Sequence, residues 1–274
     1  MTNLFRSLWM IINYKTLIIT FLSIITTYIC KYFNFVGDLP ITLIGTAIIF
    51  PVVFSINSAY KRREEAIMYY ASFKSNLISL FYAGKNWVDR DFEEYRKNIK
   101  NVLQDTMQNV VELFLKVPSE HKQFESKIYR CFDEISLFIQ TLRKANISPG
   151  ELSRIDQYLT KSVTDFEKLK QILYYRTPNS MRTYSIFFLY SFPILYAPYF
   201  AYHLKDGTYP IIGYTSAILY SFVFVSLVNI QEQLENPFDQ IGEDDIIFDE
   251  QELQIVLDSE ARDSVENFKK MHNI

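Results

Sequence analysis

The stretch LPITLIGTAIIFPVVFSINSAYKRREE, residues 39–65, begins with 22 residues that carry no charge and ends in three basic and two acidic side chains. A helix needs roughly 20 predominantly apolar residues to cross about 30 Å of membrane hydrocarbon. Basic side chains directly behind such a run are typical of the cytoplasmic end of a span. The stretch therefore predicts a membrane-spanning helix.

Three other runs lack charged residues, and they occupy residues 16–30, 184–204 and 207–230. The first is shorter, but it continues past Lys31, whose long side chain can reach the headgroups. No small-residue cleavage site follows this run, so we expect it to remain as a span. The four runs predict an all-α membrane protein with four transmembrane helices. The alternative is a set of buried helices in a soluble protein.

The distribution of basic residues predicts the orientation. Four spans put both termini on one side of the membrane, and all but two of the 28 Lys and Arg residues fall on that side. The positive-inside rule makes that side cytoplasmic, in a multi-pass protein of the cell (inner) membrane. The predicted organisation is an N-terminal interfacial helix with spans one and two in 1–60, a cytoplasmic helical domain in 61–183, spans three and four in 184–230, and an acidic cytoplasmic tail in 231–274.

The central segment shows helical periodicity. Apolar residues recur at spacings of three and four, as in Phe124, Ile128, Phe132 and Ile135, which predicts helices with one buried stripe each. Pro118 and Pro149 suit helix starts, and Ser148 suits an N-cap. Because no helix-breaking signal follows the second span until about residue 82, its helix is expected to continue out of the membrane.

The C-terminal tail is strongly acidic. From residue 231 onward it holds thirteen acidic and three basic residues, while the central segment, residues 61–182, carries a basic excess. Two interpretations remain open: the tail wraps over the central helices by charge attraction, or it is a solvated end.

Three short motifs stand at intervals along the chain. They are FPVVF at residues 50–54 followed by NSAYKRRE at 57–64, RTP at 176–178 followed by Arg182 and Tyr184, and EQLENPF at 232–238 followed by EDD at 243–245. Together with two early spans, a helical insertion and two late spans, they resemble the bestrophin family. The chain departs from that family where Arg63 and Glu64 replace paired tryptophans.

The resemblance implies a homopentamer embedded in membrane lipid, with permeating small ions passing through a central pore. Each subunit would give its second span to the pore wall and its helical bundle to a cytoplasmic vestibule. Animal members of the family are calcium-gated anion channels, and bacterial members can prefer cations. We therefore expect a channel for small monovalent ions, chloride or other anions, with cation preference left open.

The pore neck is predicted on the second span. Thr46, Phe50, Phe54 and Ser58 lie four residues apart, so they share one face of a helix. Rings of phenylalanine around a pore can gate by dewetting, and Asn57 and Ser58 would supply polar groups beside them. The alternative is that Phe50 and Phe54 face lipid or pack against neighbouring helices.

A calcium site is predicted after the fourth span. The amide oxygens of Gln233 and Asn236 and the carboxylates of Glu243, Asp244 and Asp245 are the oxygen ligands that calcium prefers. The spacing of Gln233 and Asn236 resembles the calcium-binding motif of animal bestrophins, whereas the acidic run is shorter and displaced. No other cofactor is expected. Alternatively, the Asn-Pro pair simply ends the helix, and Phe238 anchors the tail on a neighbouring subunit.

Other classes of function have weaker support. The sequence has no glycine-rich phosphate loop and no Ser–His–Asp pattern, and its three histidines are scattered, so we expect no enzyme. It is not strongly basic, so nucleic acid is not an expected partner. With only Cys30 and Cys131, no disulfide is expected. The remaining alternative is a non-conducting membrane scaffold or signalling protein that acts through its cytoplasmic helices.

Overall fold

The protein is described by a computed structural model, which covers residues 11–38, 40–87, 93–145, 147–176, 178–204, 210–240 and 245–248. The helices are α1 (Tyr14–Tyr32), α2 (Ile41–Asn86), α3 (Glu93–Leu115), α4 (His121–Leu142), α5 (Pro149–Tyr174), α6 (Asn179–Leu195), α7 (Ala197–Tyr202) and α8 (Pro210–Leu234), with a 3₁₀ turn at Arg143–Ala145. Across these ranges no β-strand is present. The predicted all-α fold is therefore confirmed.

The chain forms two compact units. The first consists of Met1–Glu64, Tyr175–Pro237 and Ile241–Asp245, and the second of Glu65–Tyr174, Phe238–Gln240 and Ile246–Ile274. Helix α2 contributes its first half to the first unit and its second half to the second. As the sequence predicted, this helix continues without interruption well beyond the uncharged run.

In the first unit, α1 contacts α6, α7 and α8. The core contains Ile48 and Val52 of α2, packed with Phe192 of α6 and Phe224 of α8. Helices also join through hydroxyls, since Thr26 donates to the carbonyl oxygen of Pro193 at 2.9 Å. Such side chain–backbone bonds hold apolar helices together where the hydrophobic effect between them is weak.

Among the residues that the structure describes, two helices are long and apolar enough to cross a membrane, by length and composition alone. Their qualifying stretches are Ile44–Asn86 in α2 and Ile211–Leu234 in α8. The third uncharged run, residues 184–204, does not form one continuous helix. The helix is interrupted at Tyr196 and resumes as α7, because Pro198 has no amide hydrogen and its ring clashes with the carbonyl four residues earlier.

In the second unit, α3 packs on α4 and α4 packs on α5. The predicted stripes contribute Ile128, Ile135 and Ile155 to the buried core, and Leu103 of α3 belongs to the same core. The start of α5 is capped as predicted. The Ser148 hydroxyl accepts from the amide of Glu151 at 3.3 Å, and Glu151 Oε2 accepts from the Ser148 amide at 3.3 Å. This reciprocal arrangement is a capping box, which fixes the first turn of the helix.

The beginning of the tail packs against the second unit. Phe238 is 1% exposed, and its ring stacks on Phe114 with centroids 4.4 Å apart. Phe248 meets Tyr70 edge to face at 5.3 Å, and Ile246 is buried. The proposal that Phe238 anchors on a neighbouring subunit is therefore wrong, because its own chain covers it. These contacts are apolar, so burial of aromatic surface stabilises the packing of this part of the tail.

Candidate functional site

One face of α2 is left uncovered by the first unit. Thr46, Phe50, Phe54 and Ser58 are all exposed, with exposed fractions of 59% for Phe50 and 51% for Phe54. In its first half, α2 buries Ile48, Val52, Ser55 and Ala59. Because an α-helix has 3.6 residues per turn, the four-residue spacing keeps the first set on one side. The structure thus leaves this predicted set open to a membrane, a pore or another subunit.

The two phenylalanine rings touch each other. Their centroids are 4.6 Å apart and their planes meet at 85°, the edge-to-face arrangement that aromatic pairs favour. Thr46 turns its hydroxyl back onto its own helix and donates to the carbonyl of Thr42 at 2.6 Å. The two rings therefore form an apolar band that faces outward. The hydroxyl proton of Thr46 is engaged in the bond to Thr42, so it is not available to another acceptor.

Asn57 and Ser58 continue this exposed surface, and three cations follow it. Lys61 is exposed, while Arg62 and Arg63 are partly buried. The guanidinium of Arg63 lies 2.7 Å from the carboxylate of Glu64. The three cations thus differ in environment, which the sequence alone did not predict.

A proline inside α2 removes one backbone hydrogen bond next to the phenylalanine pair. Pro51 lies within the helix and has no amide hydrogen to donate to the carbonyl of Ala47, four residues earlier. The hydroxyl of Tyr184 on α6 donates to that same carbonyl oxygen at 3.0 Å. Tyr184 was noted in the sequence only as part of a motif, and its contact with α2 was not predicted.

Polar side chains tie the end of α8 to two other helices. Lys15 of α1 lies 2.5 Å from Glu232, and Arg182 of α6 lies 3.4 Å from Glu235, which is 4% exposed. The side-chain amide of Asn229 donates to the carbonyl of Ile11 at 2.6 Å. These pairings were not predicted from the sequence. The available signal was the presence of polar residues at the end of an apolar helix, which normally face a partner.

An apolar cavity of about 330 Å³ lies between α2, α6 and α8 of the first unit. Gly45 and Ile48 of α2 form one wall, and Phe192 and Tyr220 stand opposite. A side chain added at Gly45 would meet nothing within 4 Å. Helix α2 therefore has open space beside Gly45, Ile48 and Ile49, just before the phenylalanine pair.

The predicted calcium ligands are only partly described. Gln233 and Asn236 are half-buried at the end of α8, and Asp245 is half-buried as well. Glu243 and Asp244 lie outside the described residues. Among the residues that are described, no three His, Cys, Asp or Glu side chains are grouped as metal ligands would be. The calcium site remains a prediction from sequence.

A network of charged and phenolic groups joins α4 to α5 in the second unit. Lys170 lies 2.5 Å from the hydroxyl of Tyr129 and 3.0 Å from Glu167, and the hydroxyl of Tyr174 donates to Glu125 at 2.5 Å. Burial and the bond to Glu125 raise the pKa of Tyr174 to about 12. Burial alone would raise the pKa of Glu167, but hydrogen bonds from Tyr129 and Lys170 outweigh it and lower that pKa. The network stabilises the packing of the two helices.

Solved structures match the chain over most of its length. A crystal structure of a bacterial bestrophin homolog from Klebsiella pneumoniae gives a TM-score of 0.72 at 16% identity, covering 89% of this chain and 96% of that one. A mutant of such a homolog gives 0.70 at 17% identity, with the same coverage. A crystal structure named only as that of a membrane protein gives 0.72 at 17% identity. No family model matches the sequence, and no curated protein matches it.

Proposed function

We propose, from a fold shared with bacterial bestrophin homologs, that this chain is the subunit of a bestrophin-like ion channel. The shared fold extends over 89% of the chain, and the chain resembles the bestrophin family in its three motifs. The observation that carries the proposal is the exposed phenylalanine pair on α2, a long apolar helix whose other side is buried in the first unit. Five such helices around an axis would surround a pore with rings of Phe50 and Phe54.

Four segments are proposed to cross the membrane: α1, the first half of α2, α6 with α7, and α8. Exposed apolar side chains on α1, including Leu17, Phe21 and Tyr28, support a surface that faces lipid hydrocarbon. Tyr14 and Tyr32 are exposed at the two ends of this helix. They lie 18 residues apart, about 27 Å along a helix axis, which suits aromatic side chains at the two membrane interfaces. Both termini would lie in the cytoplasm.

In this proposal the phenylalanine rings form a hydrophobic neck. A narrow apolar constriction loses water readily, and an ion cannot pass until the pore widens or is rewetted. The edges of aromatic rings carry partial positive charge, which favours small anions such as chloride over cations. Asn57 and Ser58 would flank the neck on one side with polar groups that rehydrate the ion, and Thr46 would present its hydroxyl oxygen on the other side.

The experiment is ionic current from the purified protein in planar bilayers, with asymmetric potassium chloride across the membrane. Stepwise conductance with a reversal potential displaced toward the chloride equilibrium potential is the expected result. The molar mass of the detergent-solubilised protein, corrected for bound detergent, should correspond to five chains. A silent bilayer, together with a monomer or dimer in detergent, would favour a membrane scaffold that acts through its cytoplasmic helices.

A further inference from the structure

The three cations behind the phenylalanine pair differ in what surrounds them. Arg63 is paired with Glu64 at 2.7 Å, and Arg62 is partly buried, with its Nη1 atom shielded from solvent. Lys61 is exposed. Within the described part of the chain, no hydrogen bond or ion pair engages its ammonium group. Of the three, Lys61 alone presents its charge outward.

Lys61 also lies on the same side of α2 as the two rings. It follows Phe50 by eleven residues and Phe54 by seven, which is about three turns and about two turns of an α-helix. Arg62 and Arg63 are rotated about 100° and about 200° further around the helix. At about 1.5 Å per residue, Lys61 stands roughly 10 Å along the axis from Phe54. Lys61 is therefore the cation that lies in line with Phe50 and Phe54 along one side of α2.

The acidic residues nearby offset this charge only in part at the level of the rings. Glu64 is engaged by Arg63. Glu65 is exposed, but it lies one turn further from Phe54, at roughly 16 Å along the axis. The Debye length is about 8 Å at physiological ionic strength, so a charge at that distance acts less strongly on an ion at the rings than Lys61 does.

We propose that Lys61 determines the charge selectivity of the channel, and that the ions it favours are small anions. The inference rests on the proposed function, since it requires several copies of α2 around one pore. A ring of ammonium groups beside an apolar constriction raises the local concentration of anions and lowers that of cations. The ions that reach the neck formed by Phe50 and Phe54 are then mostly anions.

The test compares reversal potentials in asymmetric potassium chloride for the wild type, Lys61→Gln and Lys61→Glu. We expect the chloride-to-potassium permeability ratio to fall in Lys61→Gln and to fall by about tenfold or more in Lys61→Glu. Lys31→Gln is the matched control, because it removes one exposed cation from the last turn of α1. It should leave the ratio at the wild-type value. Size-exclusion profiles identical to the wild type would show that each variant is assembled.

Salt dependence gives a second readout. At about 1 M salt the Debye length shrinks to about 3 Å, so the anion preference of the wild type should weaken as salt rises, while that of Lys61→Gln should change little. Conducting variants with an unchanged permeability ratio would overturn the role of Lys61 and leave the channel intact. A wild type that conducts and prefers cations would overturn it as well. A wild type that never conducts would overturn the proposed function and this inference together.

Discussion

The hydroxyl of Tyr184 donates a 3.0 Å hydrogen bond to the carbonyl oxygen of Ala47. That oxygen is the one that Pro51 leaves without its helical amide donor. A residue on another helix therefore replaces the hydrogen bond that α2 lacks at this carbonyl. This bond explains how a proline lies within α2 without ending it, and it links α6 to the part of α2 that carries the phenylalanine pair.

This relationship predicts a dependence between two substitutions. Tyr184→Phe removes the donor and should lower the free energy of unfolding by about 1 kcal/mol. In a Pro51→Ala background the helix supplies its own amide donor, so the same substitution should have a much smaller effect. Thermal unfolding midpoints of the four proteins in detergent provide the measurement. Equal losses in both backgrounds would show that the bond does not compensate for the proline.

The phenylalanine pair is predicted to restrict the conducting pathway. Phe50→Ala and Phe54→Ala each remove an exposed ring from the contact at 4.6 Å, and each should raise single-channel conductance or open probability by widening and wetting the neck. Phe21→Ala removes an equally exposed ring from α1, so it controls for the loss of aromatic surface. Currents unchanged in both α2 variants would exclude the neck assignment.

Two helical glycines should respond oppositely to alanine. A side chain at Gly45 meets open space, whereas one at Gly213 would lie 2.6 Å from the carbonyl oxygen of Phe200. Gly45→Ala should stabilise the protein by about 0.5–1 kcal/mol, because glycine is a poor helix former. Gly213→Ala should destabilise it, since the backbone of Phe200 cannot yield without moving α7. A destabilised Gly45→Ala variant would contradict the open space behind α2.

Alkaline pH should weaken the second unit through Tyr174. Its pKa is raised to about 12 by burial and by the bond to Glu125, compared with about 10 in an unfolded chain. The neutral phenol therefore stabilises the fold below pH of about 10, and this contribution is lost as the pH rises through about 12. The unfolding temperature of the wild type should fall more steeply across that window than that of Tyr174→Phe. Tyr175→Phe, which alters an exposed neighbour, should follow the wild type.

The calcium prediction can be tested by ligand-linked stability. If the oxygens of Gln233 and Asn236 join carboxylates of the tail around calcium, millimolar calcium should raise the unfolding temperature, because a ligand that binds only the folded state stabilises it. Asn236→Ala should abolish the shift. Magnesium should act weakly, since it demands a tighter octahedral site. An unfolding temperature that does not respond to calcium would argue against the site.

The sequence predicted the helical architecture because the signals for helices are local. Uncharged runs and apolar spacings of three and four marked α2 and α8 and the helices of the second unit. Proline and serine marked the start of α5, where Ser148 and Glu151 form the capping box. The four-residue spacing of Thr46, Phe50, Phe54 and Ser58 correctly placed them on one side of α2, since that depends only on helical geometry.

What the tertiary structure decided depends on residues far apart in the chain. Three contacts join residues at least 120 positions apart. They are the hydrogen bond from Tyr184 to the carbonyl of Ala47, the ion pair of Lys15 with Glu232, and the stacking of Phe238 on Phe114. No local propensity specifies which helices meet or which partner a polar side chain finds. Packing also distinguishes Lys61, because Arg62 and Arg63 are partly buried while Lys61 is exposed. Helices and their faces are thus fixed by neighbouring residues, whereas partners are fixed by the packing of the whole chain.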